Sequence, residues 1–262
     1  MKPTKAKRGF LFAAACLFAI TAGVYEWFLS GRLSSPPASV SIDAIITRTL
    51  GAVAAACLLP IFGYRIFGRP TLKSLLAVIP CFVAVVCNPP LIGLFAGDAT
   101  ITYDAPSYFI LFALECLATG MFEELLFRGM LFPAILENRR SSSKKIFLSV
   151  IISSAVFALV HLFNIFTSSP AAIFMQIGYS FLIGGMCSFA LMKTGNVLTC
   201  VLLHAAFNFT GTLVERLGSG GWGGWGGLIT LAIVLPVAAA TAVYVVYSLV
   251  KIRPEKTNKL YE

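Results

Sequence analysis

Apolar residues run along this chain in long uninterrupted blocks, without the alternation of a half-buried strand or the single stripe of a surface helix. The blocks cover residues 10–29, 42–62, 72–95, 107–136, 146–166, 171–192, 197–214 and 228–250. A membrane crossing needs about 20 largely apolar residues, so the pattern predicts about eight transmembrane helices with short connections. The expected fold class is all-α, a polytopic membrane protein in which residues 1–262 form a single transmembrane domain. Inside the third block stands Asn88-Pro89-Pro90. Two successive residues without a backbone donor break or kink a helix, which could end there. Residues 218–227 are glycine-rich with Trp222 and Trp225, and read as a flexible loop at the membrane interface.

Composition strengthens this picture. Of the 262 residues 58% are hydrophobic and 12% charged, where a soluble domain carries roughly 25% charged residues. The formal charge of +9 does not point to nucleic acid, because the basic residues fall between the apolar blocks and build no patch with interleaved aromatics. Sixteen of the 20 lysines and arginines lie in alternate connections, beginning with Lys2, Lys5, Lys7 and Arg8. Positive loops stay cytoplasmic, so both termini are expected inside and the number of spans even. The first block is too long for a cleaved signal core and is read as a retained helix. Seven cysteines all lie within apolar blocks, with no zinc or redox spacing, and read as small packing residues. No phosphate-binding loop follows the glycines, and no nucleotide or organic cofactor is expected.

Charged groups inside a membrane helix cost several kcal/mol each unless paired or put to use. The fourth block holds Glu115, Glu123, Glu124 and Arg128. Glu124 and Arg128 stand four apart on one helix face and can pair. Glu123 is turned about 100° from Glu124 and is free to face a cavity; Glu115 has no evident partner in the sequence. The chain's two histidines, His161 and His204, both lie in apolar blocks, and Asn208 follows His204 by one turn. Counting the ~1.5 Å rise from the inner helix ends puts Glu123, His161 and Asn208 at roughly 20, 22 and 17 Å, with His204 at about 11 Å. These groups are expected to converge on one polar cavity within the membrane. A carboxylate and an imidazole can deprotonate a water, while a second imidazole and a carboxamide donate to an oxyanion. The same set admits another assignment, in which Glu123, His161 and His204 hold zinc and leave a water position open.

The patterns Glu123-Glu124-x-x-x-Arg128, Phe157-x-x-x-His161 and His204-x-x-x-Asn208, in this order on separate helices, resemble those of the CPBP family, the type II CAAX prenyl endopeptidases and their bacterial Abi relatives. The resemblance covers roughly residues 107–214, which it marks as a catalytic core. It implies an intramembrane endopeptidase, labelled a metalloprotease in this family although a metal-independent glutamate mechanism has also been proposed. Its substrate would be a membrane-tethered or hydrophobic peptide or protein. Carried over by position, Glu123 is expected to activate water with His161, His204 and Asn208 to bind the oxyanion, and Glu124 with Arg128 to support them. Asn164, one turn beyond His161, resembles a residue common in bacterial members and is expected beside the site, as is Phe157. A bacterial plasma membrane is the expected location. Another reading of the same resemblance is a non-catalytic member that binds a peptide or partner, as an immunity or scaffolding protein would.

Overall fold

A computed structural model describes residues 42–166, 169–220 and 224–261, together with Gly9 and Ala13. The first apolar block, 10–29, thus falls almost wholly outside the described residues. The rest is helical: α1 (Ile42–Phe62), α2 (Leu72–Leu76), α3 (Ile79–Val86), α4 (Pro89–Ala96), α5 (Pro106–Leu126), α6 (Phe132–Glu137), α7 (Ser143–Val160), α8 (Pro170–Thr194), α9 (Val197–Leu217) and α10 (Gly224–Val250). Five described segments are long and apolar enough to cross a membrane, namely Ile42–Phe62, Ser143–Ile165, Pro170–Thr194, Val197–Leu217 and Gly227–Val250. The bent pair Leu72–Val86 and Pro89–Ala96 makes a sixth if counted as one span. Helix α5 has 21 residues but carries three acids, Glu115, Glu123 and Glu124. It packs most extensively against α9 on one side and α1 on the other, which shields those acids from lipid. The chain is an all-α, polytopic membrane protein.

Three stretches depart from the expected pattern, each for a backbone reason. The third block is not one helix ending at the prolines. It turns at Val78, ahead of Pro80, and again at Asn88, ahead of Pro89 and Pro90, and then runs on as α4 at an angle of 60°. The Val85 carbonyl beside this break accepts from Thr210 Oγ1 at 2.6 Å, meeting the need for every backbone group in hydrocarbon to find a partner within the protein. The fourth block is not continuous α-helix either, for residues Phe127–Leu131 form a π turn between α5 and α6. Pro133 lies at the start of α6; without an N–H it cannot bond the carbonyl one turn back, and the wider turn takes up the mismatch. Finally, the glycine-rich stretch is not wholly loop. Gly218–Gly220 pairs antiparallel with Ala99–Ile101, and α10 has begun by Gly224. A Cβ at Gly218 would lie 2.2 Å from the Thr100 carbonyl oxygen, so only glycine permits this pairing. Residues 221–223 lie outside the described residues.

The two ends of the bundle differ in character. At the end away from this strand pair, the 3₁₀ segment Pro254–Leu260 folds back over the connections. The Leu260 carbonyl accepts from the Arg65 amide at 2.9 Å, and Arg140 Nη1 donates to Asn258 Oδ1 at 3.0 Å. Lys259 Nζ donates to the Lys193 carbonyl at 2.6 Å, and Tyr261 Oη to the Pro133 carbonyl at 2.7 Å. Burial, with Lys193 and Lys256 nearby, lowers the Lys259 ammonium from its ordinary value. Four basic segments, around Arg65, Arg140, Lys193 and Lys259, are therefore gathered at one end.

Candidate active site

Helices α5 and α9 meet where a small residue lets their backbones touch. A Cβ added to Gly120 would stand 3.0 Å from the Val201 carbonyl oxygen and 3.6 Å from the Cβ of His204. Close approach through small residues is the usual way membrane helices associate. Here it brings the last turn of α5, with its two glutamates, onto His204. We expect Gly120→Val to force the helices apart and lower stability by about 1–3 kcal/mol. Gly178→Ala in α8, where nothing lies within 4 Å of the new Cβ, should leave it unchanged. Thermal unfolding in detergent compares the two; equal melting temperatures would show that the α5–α9 contact does not set the site.

At this crossing one carboxylate oxygen serves two partners. Glu124 Oε1 accepts from Arg128 Nη1 at 2.9 Å and lies 2.8 Å from His204 Nδ1. Glu124 and Arg128 are both fully buried. With Nδ1 bound to a carboxylate, the imidazole is fixed in orientation and its Nε2 is directed away from Glu124. That nitrogen lies 3.8 Å from Glu123 Oε2, so His204 stands between two carboxylates. Glu123 is a quarter exposed at its side chain, the more open of the pair.

Phe157 forms a platform beneath this array. The Arg128 guanidinium lies over its ring at 4.4 Å, and the rings of Phe127, His161 and His204 meet it edge-on at 4.9, 5.1 and 5.7 Å. His161 reaches the cluster through Phe157, since its Nδ1 is 2.9 Å from the Phe157 carbonyl oxygen at the junction of α7 with the 3₁₀ segment His161–Phe166. An Nδ1–H donating there leaves Nε2 as the acceptor. Asn164 Nδ2 donates to Gln176 Oε1 at 2.9 Å, tying that segment to α8.

Of the residues expected on one cavity, Asn208 lies apart from the array. A cavity of about 1080 Å³ between α3, α4, α7, α8, α9 and α10 has Asn208 in its wall, but not Glu123, His161 or His204. The cause is the α5–α9 crossing: His204 faces α5 at Gly120, whereas the next turn of α9, with Phe207, Asn208 and Gly211, faces the cavity. Among the described residues no three His, Cys, Asp or Glu side chains are placed to hold a metal ion. His204, with Nδ1 held by Glu124, keeps Nε2 directed toward Glu123, whereas His161 enters the cluster only through Phe157.

Glu115, without a partner in the sequence reading, pairs with Arg216 Nη2. Arg48 Nη1 donates to Thr119 Oγ1, one turn along α5 from Glu115. Arg216 lies past the apolar block that ends at residue 214, but α9 continues to Leu217 and carries it to Glu115. Sequence reasoning also missed Gly120 and Gly184. A Cβ at Gly184 would lie 2.9 Å from Arg128 Nη2, so this glycine makes room for the guanidinium. Glycine inside an apolar helix was the available signal.

A bundle of apolar helices with a carboxylate–imidazole–carboxylate array buried in it defines a polytopic membrane protein with an intramembrane polar site. Residues 105–210 match the family described as Type II CAAX prenyl endopeptidase Rce1-like, a match that supports the resemblance to the CPBP family of CAAX-type intramembrane proteases. The matched stretch runs from the start of α5 to Thr210 and contains every residue of the array. No curated protein and no solved structure gives a significant match.

Proposed function

We propose that this chain is an intramembrane endopeptidase in which Glu123 is the general base and His204 the principal electrophilic group, within a catalytic core of residues 107–214. The observation that carries the reading is the line of contacts from Arg128 through Glu124 to His204 and on toward Glu123. Two carboxylates and one guanidinium leave a single negative charge. The mechanism balances that charge with both ring nitrogens of His204 carrying a proton. In that state His204 Nδ1–H donates to Glu124, and Nε2–H is available to an oxyanion. Glu123, ionised and more open, takes a proton from water. The water oxygen then adds to the scissile carbonyl carbon, and the carbonyl oxygen gains the negative charge and accepts from His204 Nε2. Asn208, one turn along the same helix, faces the large cavity and meets the substrate there. As the C–N bond breaks, Glu123 returns its proton to the leaving nitrogen. His161, bonded to the Phe157 carbonyl, fixes the ring on which Arg128 and His204 rest, and Asn164 holds the segment that carries it.

The substrate class follows from the surroundings. The cavity that contains Asn208 is walled largely by apolar side chains such as Val150, Leu182, Met186 and Val234, which suits the hydrocarbon part of a membrane-tethered or hydrophobic peptide. Purified protein reconstituted in bilayers with a library of such peptides should release products at one peptide bond, read by mass spectrometry. Retention of an intact peptide, bound but never cut, would replace the protease with a binding protein.

A further inference from the structure

Several hydroxyl groups in this bundle are bonded within their own helix. Ser149, Thr194, Thr210 and Thr212 each donate to the carbonyl four residues back on their own helix, the ordinary resort of a hydroxyl in an apolar helix. Ser153 and Ser154 on α7 and Ser188 on α8, all buried, do not; among the described residues their Oγ atoms have no hydrogen-bond partner. Neither do Arg128 Nε, Arg128 Nη2 or Glu124 Oε2.

These atoms share one neighbourhood. Ser153 precedes Phe157 by one turn, on the face that holds the Arg128 guanidinium. A Cβ at Gly184 would lie 2.9 Å from Arg128 Nη2 and 3.1 Å from Ser154 Cβ, so α7, α8 and the guanidinium meet there. Ser188 follows Gly184 by one turn on the same face. Ser154 also stands in the wall of the large cavity, next to Gly185 and Met186.

We infer that the Arg128–Glu124 pair backs onto an internal water-binding compartment, walled by Ser153, Ser154 and Ser188, through which water passes from the large cavity to the catalytic array. The chemistry of the wall selects the ligand. Arg128 offers N–H donors, Glu124 Oε2 only accepts, and the serines do both. An anion would meet the carboxylate and a cation the guanidinium, whereas a small neutral donor–acceptor satisfies all of them. Buried water typically takes two to four such partners. The compartment rests on these unpaired buried polar atoms and on Ser154 in the cavity wall; the delivery of water to the reaction rests on the proposed hydrolysis.

X-ray hydroxyl-radical footprinting of the detergent-solubilised full chain tests the compartment without reference to catalysis. Cys187 and Phe157 are at most 1% exposed, so bulk solvent does not reach them. Water held beside them should nonetheless give oxidative labelling at both, reduced in the variant Ser153→Ala/Ser154→Ala/Ser188→Ala while its melting temperature is kept. Absence of labelling at both residues in the wild type overturns the compartment. In single-turnover cleavage the triple variant should lose roughly tenfold in kcat with KM unchanged, as expected when one or two hydrogen bonds to water are lost. An unchanged kcat with lost labelling overturns delivery. A wild type that labels but cleaves nothing refutes the protease reading and leaves the compartment standing.

Discussion

Glu123→Ala should reduce single-turnover peptide cleavage by about 10²- to 10⁴-fold, the range for loss of a general base, with substrate binding and folding almost intact. The reason lies in how loosely this carboxylate is tied into the protein. Glu123 Oε2 makes no hydrogen bond among the described residues, and His204 Nε2 stands 3.8 Å away. Removing the side chain therefore breaks no established bond, and His204 keeps Glu124 as its anchor at 2.8 Å. Glu123→Gln, which preserves shape but cannot accept a proton, should be as slow. A fall in kcat with KM unchanged would mark a group needed in the transition state. Near wild-type cleavage by either variant would remove Glu123 from the role of base and take the mechanism with it.

Arg128→Leu should act through stability first. The guanidinium is fully buried between Glu124, the Phe157 ring and Gly184. Its removal leaves Glu124 with His204 as its remaining partner in a buried setting. Breaking a buried pair from one side costs about 3–5 kcal/mol, enough to lower the melting temperature and the folded yield together. Glu124→Leu/Arg128→Leu should recover much of that stability, since replacing both charges with apolar groups is often neutral or favourable. It should not recover activity, because His204 then has no carboxylate at Nδ1 to fix its orientation. Thermal unfolding and cleavage per folded molecule, measured on the same samples, separate the two effects. A double variant as active as the wild type would reduce Glu124 and Arg128 to packing residues.

Much of the helical layout was legible in the sequence, because long apolar blocks leave little else for the chain to form. The block at 42–62 is helix α1 residue for residue, and those at 171–192, 197–214 and 228–250 gain only a few residues at their ends. Those few residues matter: the extension of α9 past Val214 is what carries Arg216 to Glu115, a partner 101 positions away that no spacing rule reveals. Within the site, the pairing of Glu124 with Arg128 follows from a spacing of one turn. Which histidine meets the glutamates does not. Heights counted along each helix set His161 level with Glu123 and His204 about 9 Å lower, yet His204 touches Glu124 and His161 stands behind Phe157. A rise per residue treats helices as parallel rods of even pitch. It cannot register the Gly120 contact, the π turn after Leu126 or the change to 3₁₀ geometry at His161.

The bond from Tyr261 to the Pro133 carbonyl joins residues 128 apart in the chain. Helix α5 and the π turn can take shape from their own sequence, but the start of α6 is held by a segment that leaves the ribosome long afterwards. A contact of such separation forms only after the intervening chain has been ordered. The helix that carries both glutamates is therefore among the early parts of the matched segment to be made and among the last to be fastened, and full assembly of the site belongs to the period after translation of α10.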